Sequence, residues 1–260
     1  MMKKGIDISH HNPNLDFAAL KNKGVEFIMI RAGYGHNNID MCFEANKTAC
    51  IANRIPFGVY WFSYAFTPEM AKAEADYCCN AVADCSPDYP IAFDFEYGSL
   101  EYAKKHGHDL TGEQMVAIAR AFLERVEERG YFAMIYTNRD FLRRGFDALI
   151  DRYALWLAEY NVENASIPCA MWQYGIDSEL NLDGDYCYKD FPEKIANFKL
   201  INDDDKNKIL NAIPNSRINA YIRAARCFKS ETLSYTEMLE KFRKLGIDFE
   251  ILMAFVKGGV

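Results

Sequence analysis

The sequence predicts an α/β barrel, with parallel strands closed into a tube and wrapped in helices. Three observations point there. Short apolar runs alternate with amphipathic stretches through the first two-thirds of the 260 residues, the order that builds a parallel sheet. Those runs are too apolar to leave one face in water, as expected of strands covered on both sides. No Gly-x-Gly-x-x-Gly follows the first run and no phosphate loop occurs, which weakens an open nucleotide-binding sheet.

The elements follow in order. Gly5-Ile6-Asp7-Ile8-Ser9 reads as the first strand, followed by a helix over Asp16 to Lys23 that Gly24 stops. Val25 to Ala32 is a second strand, then a helix spans Ile39 to Asn53. Gly58 to Tyr64 is an aromatic strand, and Thr67-Pro68-Glu69 carries a capping residue with Pro in the first turn. That helix runs to Ala83, before a strand over Tyr89 to Tyr97. Thr111-Gly112-Glu113-Gln114 is a capping box whose helix ends at Gly130. Strands at Tyr131 to Thr137, Ala154 to Tyr160 and Ala170 to Tyr174 complete the series.

After Phe191-Pro192 the texture changes. Asn202-Asp203-Asp204-Asp205-Lys206 is a polar break, and Leu233 to Phe242 has apolar residues at helical spacing. The expectation is a barrel over residues 1–192 and a small helical appendage over 195–260. The Asp run lacks the spaced ligands and closing Glu of a calcium loop and reads as a solvated linker.

Composition narrows the function. The net charge is −7 and no basic stripe is present, which disfavours nucleic acid as a partner. No run of 18 apolar residues occurs, so no membrane partner is expected. Two lysines near the start have no apolar stretch behind them, so no secretory signal is read. Synthesis in the cytoplasm with an unknown route out is one expectation, a signal already removed the other. Of the eight cysteines, Cys78 and Cys79 are adjacent and none forms a Cys-x-x-Cys pair, so buried free thiols are expected. His10-His11 suggests a metal, but adjacent side chains diverge in most backbones. No metal and no cofactor is expected.

The chemistry-bearing feature is Asp94-Phe95-Glu96 at the end of an apolar strand. Residues i and i+2 of a strand share a face, about 6.5 to 7 Å apart along the chain. Two carboxylates would project from the C-terminal end, where barrels place their sites. Their proximity raises one pKa, and a neutral acid beside a carboxylate is what glycosidic cleavage uses. The bland reading is two solvated acids at a strand end. Asp7 lies in the first strand, with a turn-capping role as its alternative. Asp183, in Asn181-Leu182-Asp183-Gly184-Asp185, also fits a turn.

These segments resemble glycoside hydrolase family 25, the Chalaropsis-type lysozymes. The resemblance rests on Gly5-Ile6-Asp7-Ile8-Ser9, Phe27 to Gly35, Gly58 to Tyr64, Phe93-Asp94-Phe95-Glu96, Ile135-Tyr136-Thr137-Asn138, Leu155 to Tyr160 and Trp172-Gln173-Tyr174. They occur in the family's order and cover residues 4 to 190. The resemblance implies an irregular TIM-like barrel of five β/α units plus extra strands. It also implies cleavage of the β-1,4 bond between N-acetylmuramic acid and N-acetylglucosamine in bacterial cell-wall peptidoglycan. By position, Glu96 is the general acid, Asp94 assists the other half of the reaction, and Asp7 and Asp183 complete the acidic set. This chain reads Asp183-Gly184-Asp185 where an Asp-x-Asn is commoner, so Asp185 competes for the late position. Tyr60, Tyr136, Trp172 and Gln173 fall where the family lines its cleft. Two rivals are a chitinase-like barrel, which also uses a strand-borne Asp-x-Glu, and a non-catalytic wall-binding module.

Overall fold

A computed structural model of the chain describes residues 2–198. The strands are β1 (Lys3–Ile8), β2 (Phe27–Tyr34), β3 (Asn38–Ile39), β4 (Phe57–Phe62), β5 (Ile91–Asp94), β6 (Ala133–Asn138), β7 (Ala154–Ala158), β8 (Met171–Asp177) and β9 (Leu182–Cys187). Neighbours run β1-β9-β8-β7-β6-β5-β4-β2-β3, and β1 also pairs with β2. That pairing closes eight strands into a barrel and leaves β3 on the outside of the ring. Every pair from β1 through β2, β4, β5, β6, β7 to β8 is parallel, while β9 is antiparallel to both β8 and β1.

The helices wrap this barrel. They are α1 (Phe17–Asn22), α2 (Phe43–Asn53), α3 (Pro68–Ala81), α4 (Tyr97–Lys105), α5 (Gly112–Glu128), α6 (Arg139–Phe141), α7 (Asp147–Ile150) and α8 (Phe191–Phe198). Local chemistry starts several of them. The side chains of Asp16 and Thr67 accept from Ala19 N and Met70 N, and Thr111 and Gln114 form the expected capping box. Sequence reading passed over α4, the irregular turns from α6 to α7, and β9. Leu182 to Cys187 interleaves charge, Gly and Tyr and has no apolar signature.

Strand alternation sorts the side chains into two cores. Ile28, Ile30, Val59, Trp61, Ile91, Phe93, Leu155 and Leu157 point outward and pack under the helices. Phe27, Met29, Ala92, Met134, Ala154, Met171 and Cys187 point inward and fill the tube. The N-terminal end of the tube is plugged by α8. Phe191 lies 5.8 Å, ring to ring, from both Tyr89 and Phe132, and Ile195 is 5% exposed in the same inner core. The expected boundary at 192–195 therefore falls inside a helix that belongs to the barrel. Residues 199–260, the bulk of the expected appendage, lie outside the described residues.

Candidate active site

At the C-terminal ends of the parallel strands the inward positions turn polar and open into a cleft of about 290 Å³. Asp7, Asp94, Glu96 and Asp183 line it, with Tyr60, Tyr136 and Gln173. Seven of the eight expected site residues thus meet in one cavity. Trp172 does not line it and is a correction. Residues 172 and 173 alternate across β8, so Gln173 faces in while Trp172 packs outside against Tyr174 and Tyr186. Gly184 makes room there, since a Cβ would lie 2.3 Å from the Tyr174 ring.

Trp156 is the indole of the cleft. It is edge-on to Tyr136 at 4.8 Å and to Tyr60 at 6.0 Å, forming an aromatic floor. Tyr160, Phe62 and Arg31 also reach the cavity and were missed. Inward alternation of Ala154, Trp156 and Ala158 between Leu155 and Leu157 was the available signal for Trp156.

β5 ends at Asp94, and Glu96 is the residue that starts α4. The backbone is still extended at Glu96, and the two acids face the same cleft. Buried Phe95 packs outside the barrel, 6.0 Å from Phe93 and from Phe141. Glu96 is anchored by its backbone, whose N–H donates to Ser99 Oγ at 3.1 Å, leaving its carboxyl at the mouth. The Asp94 carboxyl sits deeper, 4% exposed, in hydrogen-bond contact with that of Glu96.

Burial sets the electrostatics. It raises Asp94 well above its ordinary range, with the Glu96 charge adding to the effect. Burial also raises Glu96, and the hydrogen bond from Asp94 partly offsets it. The resting pair thus holds a shared proton and titrates as a coupled dyad. Asp7 is pushed up to about 7, first by burial and then by the Asp183 charge, against hydrogen bonds from Gln173 and Asp185. Asp183 is raised by burial. The order of the late pair is plain in space: Asp183 lines the cleft, and Asp185 lies buried beneath it.

Arg31 is the cation of the cavity. Its Nε donates to Asp40 Oδ2 at 2.8 Å, and His10 Nδ1 contacts both Asp40, at 3.0 Å, and Arg31. Burial works to raise Asp40, but hydrogen bonds from Cys42, His10 and Arg31 outweigh it and hold the carboxyl low. The His10 and His11 rings lie 4.0 Å apart rather than splayed, because Asp40 turns His10 inward. Among the described residues no group of three or more His, Cys, Asp or Glu side chains is arranged to hold a metal ion.

A carboxylate-lined, aromatic-floored cleft at the mouth of a β/α barrel is the kind of site in which glycoside hydrolases work. The chain belongs to glycosyl hydrolases family 25, whose model matches residues 6–184. It is 33% identical over 141 residues to an N,O-diacetylmuramidase of Arthroderma benhamiae, covering 53% of this chain and 58% of that protein. It is 26% identical over 180 residues to the autolytic lysozyme of Clostridium acetobutylicum, covering 68% and 52%. The match thus spans little more than half the length of these relatives. Among solved structures, a muramidase from Trichobolus zukalii aligns with TM-score 0.57 and 26% identity over 70% of this chain and 92% of that one. A family 25 lysozyme from Aspergillus fumigatus aligns with TM-score 0.58 and 24% identity over 72% and 94%.

Proposed function

We propose that the chain is an N-acetylmuramidase acting on bacterial peptidoglycan. The observation that carries this reading is the Asp94–Glu96 contact at the barrel mouth, in a family whose matched relatives bear muramidase and lysozyme names. The acidic interior suits the chemistry, because cleavage builds positive charge at the anomeric carbon and Asp7, Asp94 and Asp183 surround the cavity.

Glu96, at the mouth, protonates the glycosidic oxygen as the C–O bond breaks and its electron pair moves to that oxygen. Asp94 and Glu96 touch. Acid and nucleophile of a retaining pair stand about 5 to 5.5 Å apart, and an inverting pair about 6.5 to 9.5 Å. Two carboxyls in contact instead work from one side of the sugar. The nucleophile is then the substrate's own 2-acetamido oxygen, with Asp94 accepting the amide N–H. That N–H displaces Glu96 from Asp94, and the shared proton passes to Glu96, where the first step needs it. Water next attacks the anomeric carbon and gives its proton to Glu96, while the bond from that carbon to the acetamido oxygen breaks and its electron pair returns to the acetamido group, with net retention.

Digestion of purified walls, followed by borohydride reduction of the new ends and acid hydrolysis, tests the reading. Reduced muramic acid is expected. Reduced glucosamine would point to a chitinase-like specificity, and no new reducing ends to a binding module. Proton NMR of the first-formed anomer separates retention from inversion.

A further inference from the structure

Asp185 is a buried acid for which the cleavage scheme has no role. It has no exposed surface. On β9 it stands opposite Gly5 of β1 and Gln173 of β8, hence diagonal to Asp7 on the same inward face. The Trp156 Nε1–H donates to its Oδ1 at 2.8 Å. Its Oδ2 is buried with no N–H or hydroxyl partner, and the neighbouring carboxyl on that inward face is that of Asp7, with which Asp185 interacts. Two carboxylates cannot share a hydrogen bond without a proton between them, and burial makes two adjacent charges costlier still.

The surrounding donors indicate which partner keeps the proton. Tyr136 and Tyr160 hydroxyls both donate to Gln173 Oε1, at 2.9 and 2.5 Å, which turns the amide so that Nε2 donates to Asp7 Oδ2 at 2.7 Å. Asp7 is thereby an acceptor on one oxygen and opens to the cleft. Asp185 accepts on Oδ1 and has Oδ2 left to carry the hydrogen. The titratable groups around Asp185 are Asp7 from β1, Tyr174 from β8, and Asp183 and Cys187 from β9. None is a cation, and β7 contributes the neutral Trp156.

We propose that Asp185 is a positioning residue of the catalytic cleft: as a neutral acid it accepts from Trp156 and donates to Asp7, holding Asp7 ionised and aimed at the sugar. Trp156 forms the cleft floor and Asp7 lines the wall, so this one side chain ties the aromatic surface to the charge. An Asn would reproduce both bonds, with its carbonyl toward Trp156 and its N–H toward Asp7. A Leu would reproduce neither.

The consequence for activity rests on the muramidase reading; the protonation state does not. Infrared difference spectra of the resting full chain at neutral pH compare wild type with D185N. Loss of a carboxylic-acid carbonyl stretch is expected; loss of carboxylate bands instead would overturn the proposal. In wall hydrolysis, the acid limb of kcat/KM should keep its position in D185N. In D185L it should move to higher pH, because Asp7 loses a donor that favours its ionised form, with a rate loss of roughly tenfold or more. An acid limb displaced to lower pH in D185N would make Asp185 the charged partner and overturn the assignment. Equal rate loss in both variants with unmoved limbs would reduce it to packing. If D185L does not fold, the D185N spectrum decides alone. A wild-type protein that leaves walls intact would sink the muramidase reading while the spectrum still answers for Asp185.

Discussion

Gln173 donates its side-chain amide to Asp7 at 2.7 Å, joining β8 to β1 across the antiparallel β9 that lies between them. The same amide accepts the Tyr136 and Tyr160 hydroxyls. Gln173→Leu keeps the volume but strips Asp7 of a donor and the buried Tyr136 hydroxyl of its acceptor. The expected cost is about 1–3 kcal/mol in denaturant unfolding. Asp7, already raised to about 7, should rise further, so the acid limb of kcat/KM moves to higher pH. Wild-type stability with an unmoved limb would show that this hydrogen bond does not hold Asp7.

Glu96→Gln keeps shape and hydrogen bonding but removes the transferable proton. Wall hydrolysis should fall on the order of 10²–10⁴-fold while binding to walls persists. Near-normal turnover by pure protein would end the assignment of Glu96 as the acid.

Asp94→Asn leaves one titrating carboxyl where two shared a proton. The last proton of the pair is held against two negative charges, so with one charge gone Glu96 ionises more readily. The alkaline limb should move to lower pH, and the rate should fall because a neutral amide replaces the carboxylate that orients the acetamido group. A limb displaced upward in the pH–rate profile would contradict the coupling.

Glu74 is buried on α3, accepting from Ser63 Oγ at 2.5 Å and Tyr64 N at 3.0 Å. Burial raises it from 4.5 to about 7. A carboxyl raised on folding contributes stability that is whole below its unfolded pKa and lost as pH rises through about 7. Glu74→Gln can donate to Ser63 and accept from Tyr64 with no charge to bury. Relative to wild type it should gain stability above pH 7, by at most about 3 kcal/mol, and gain little below pH 5. Thermal melts at the two pH values check the sign.

A chain ending at 192 loses most of α8, including Ile195. A chain ending at 198 retains the barrel plug. The longer form should melt well above the shorter and should cleave soluble wall fragments. Phe191→Ala should cost about 3–5 kcal/mol, since it empties the contact with Tyr89 and Phe132. Equal melting of the two truncations would show that α8 is dispensable.

The seven cysteines among the described residues are free thiols. A reductant should therefore leave activity intact, and a chelator should do the same. A loss restored by added metal ion would overturn the second expectation.

The sequence by itself determined the strand–helix order as far as β8, the starts of several helices and, through the family resemblance, seven of the eight expected site residues. The order and the helix starts follow from short-range causes, apolar periodicity and caps such as Thr67 and Thr111; Tyr60, Tyr136 and Gln173 are expected only from the resemblance to the family. What only the tertiary structure decided depends on closure. Whether Trp172 or Gln173 faces in is set by the register of β8 against β9, and a one-residue change of phase exchanges them. Whether Asp183 or Asp185 meets the substrate is a matter of depth along one inward face, which pattern alone does not encode. Asp94 and Glu96 meet in the cleft because Phe93 and Phe95, one residue out of phase with them, pack under the helices. The seating of α8 under the barrel was decided by packing, because Phe191 and Ile195 complete an inner core whose other members, Phe27, Tyr89 and Phe132 among them, lie far away in the chain.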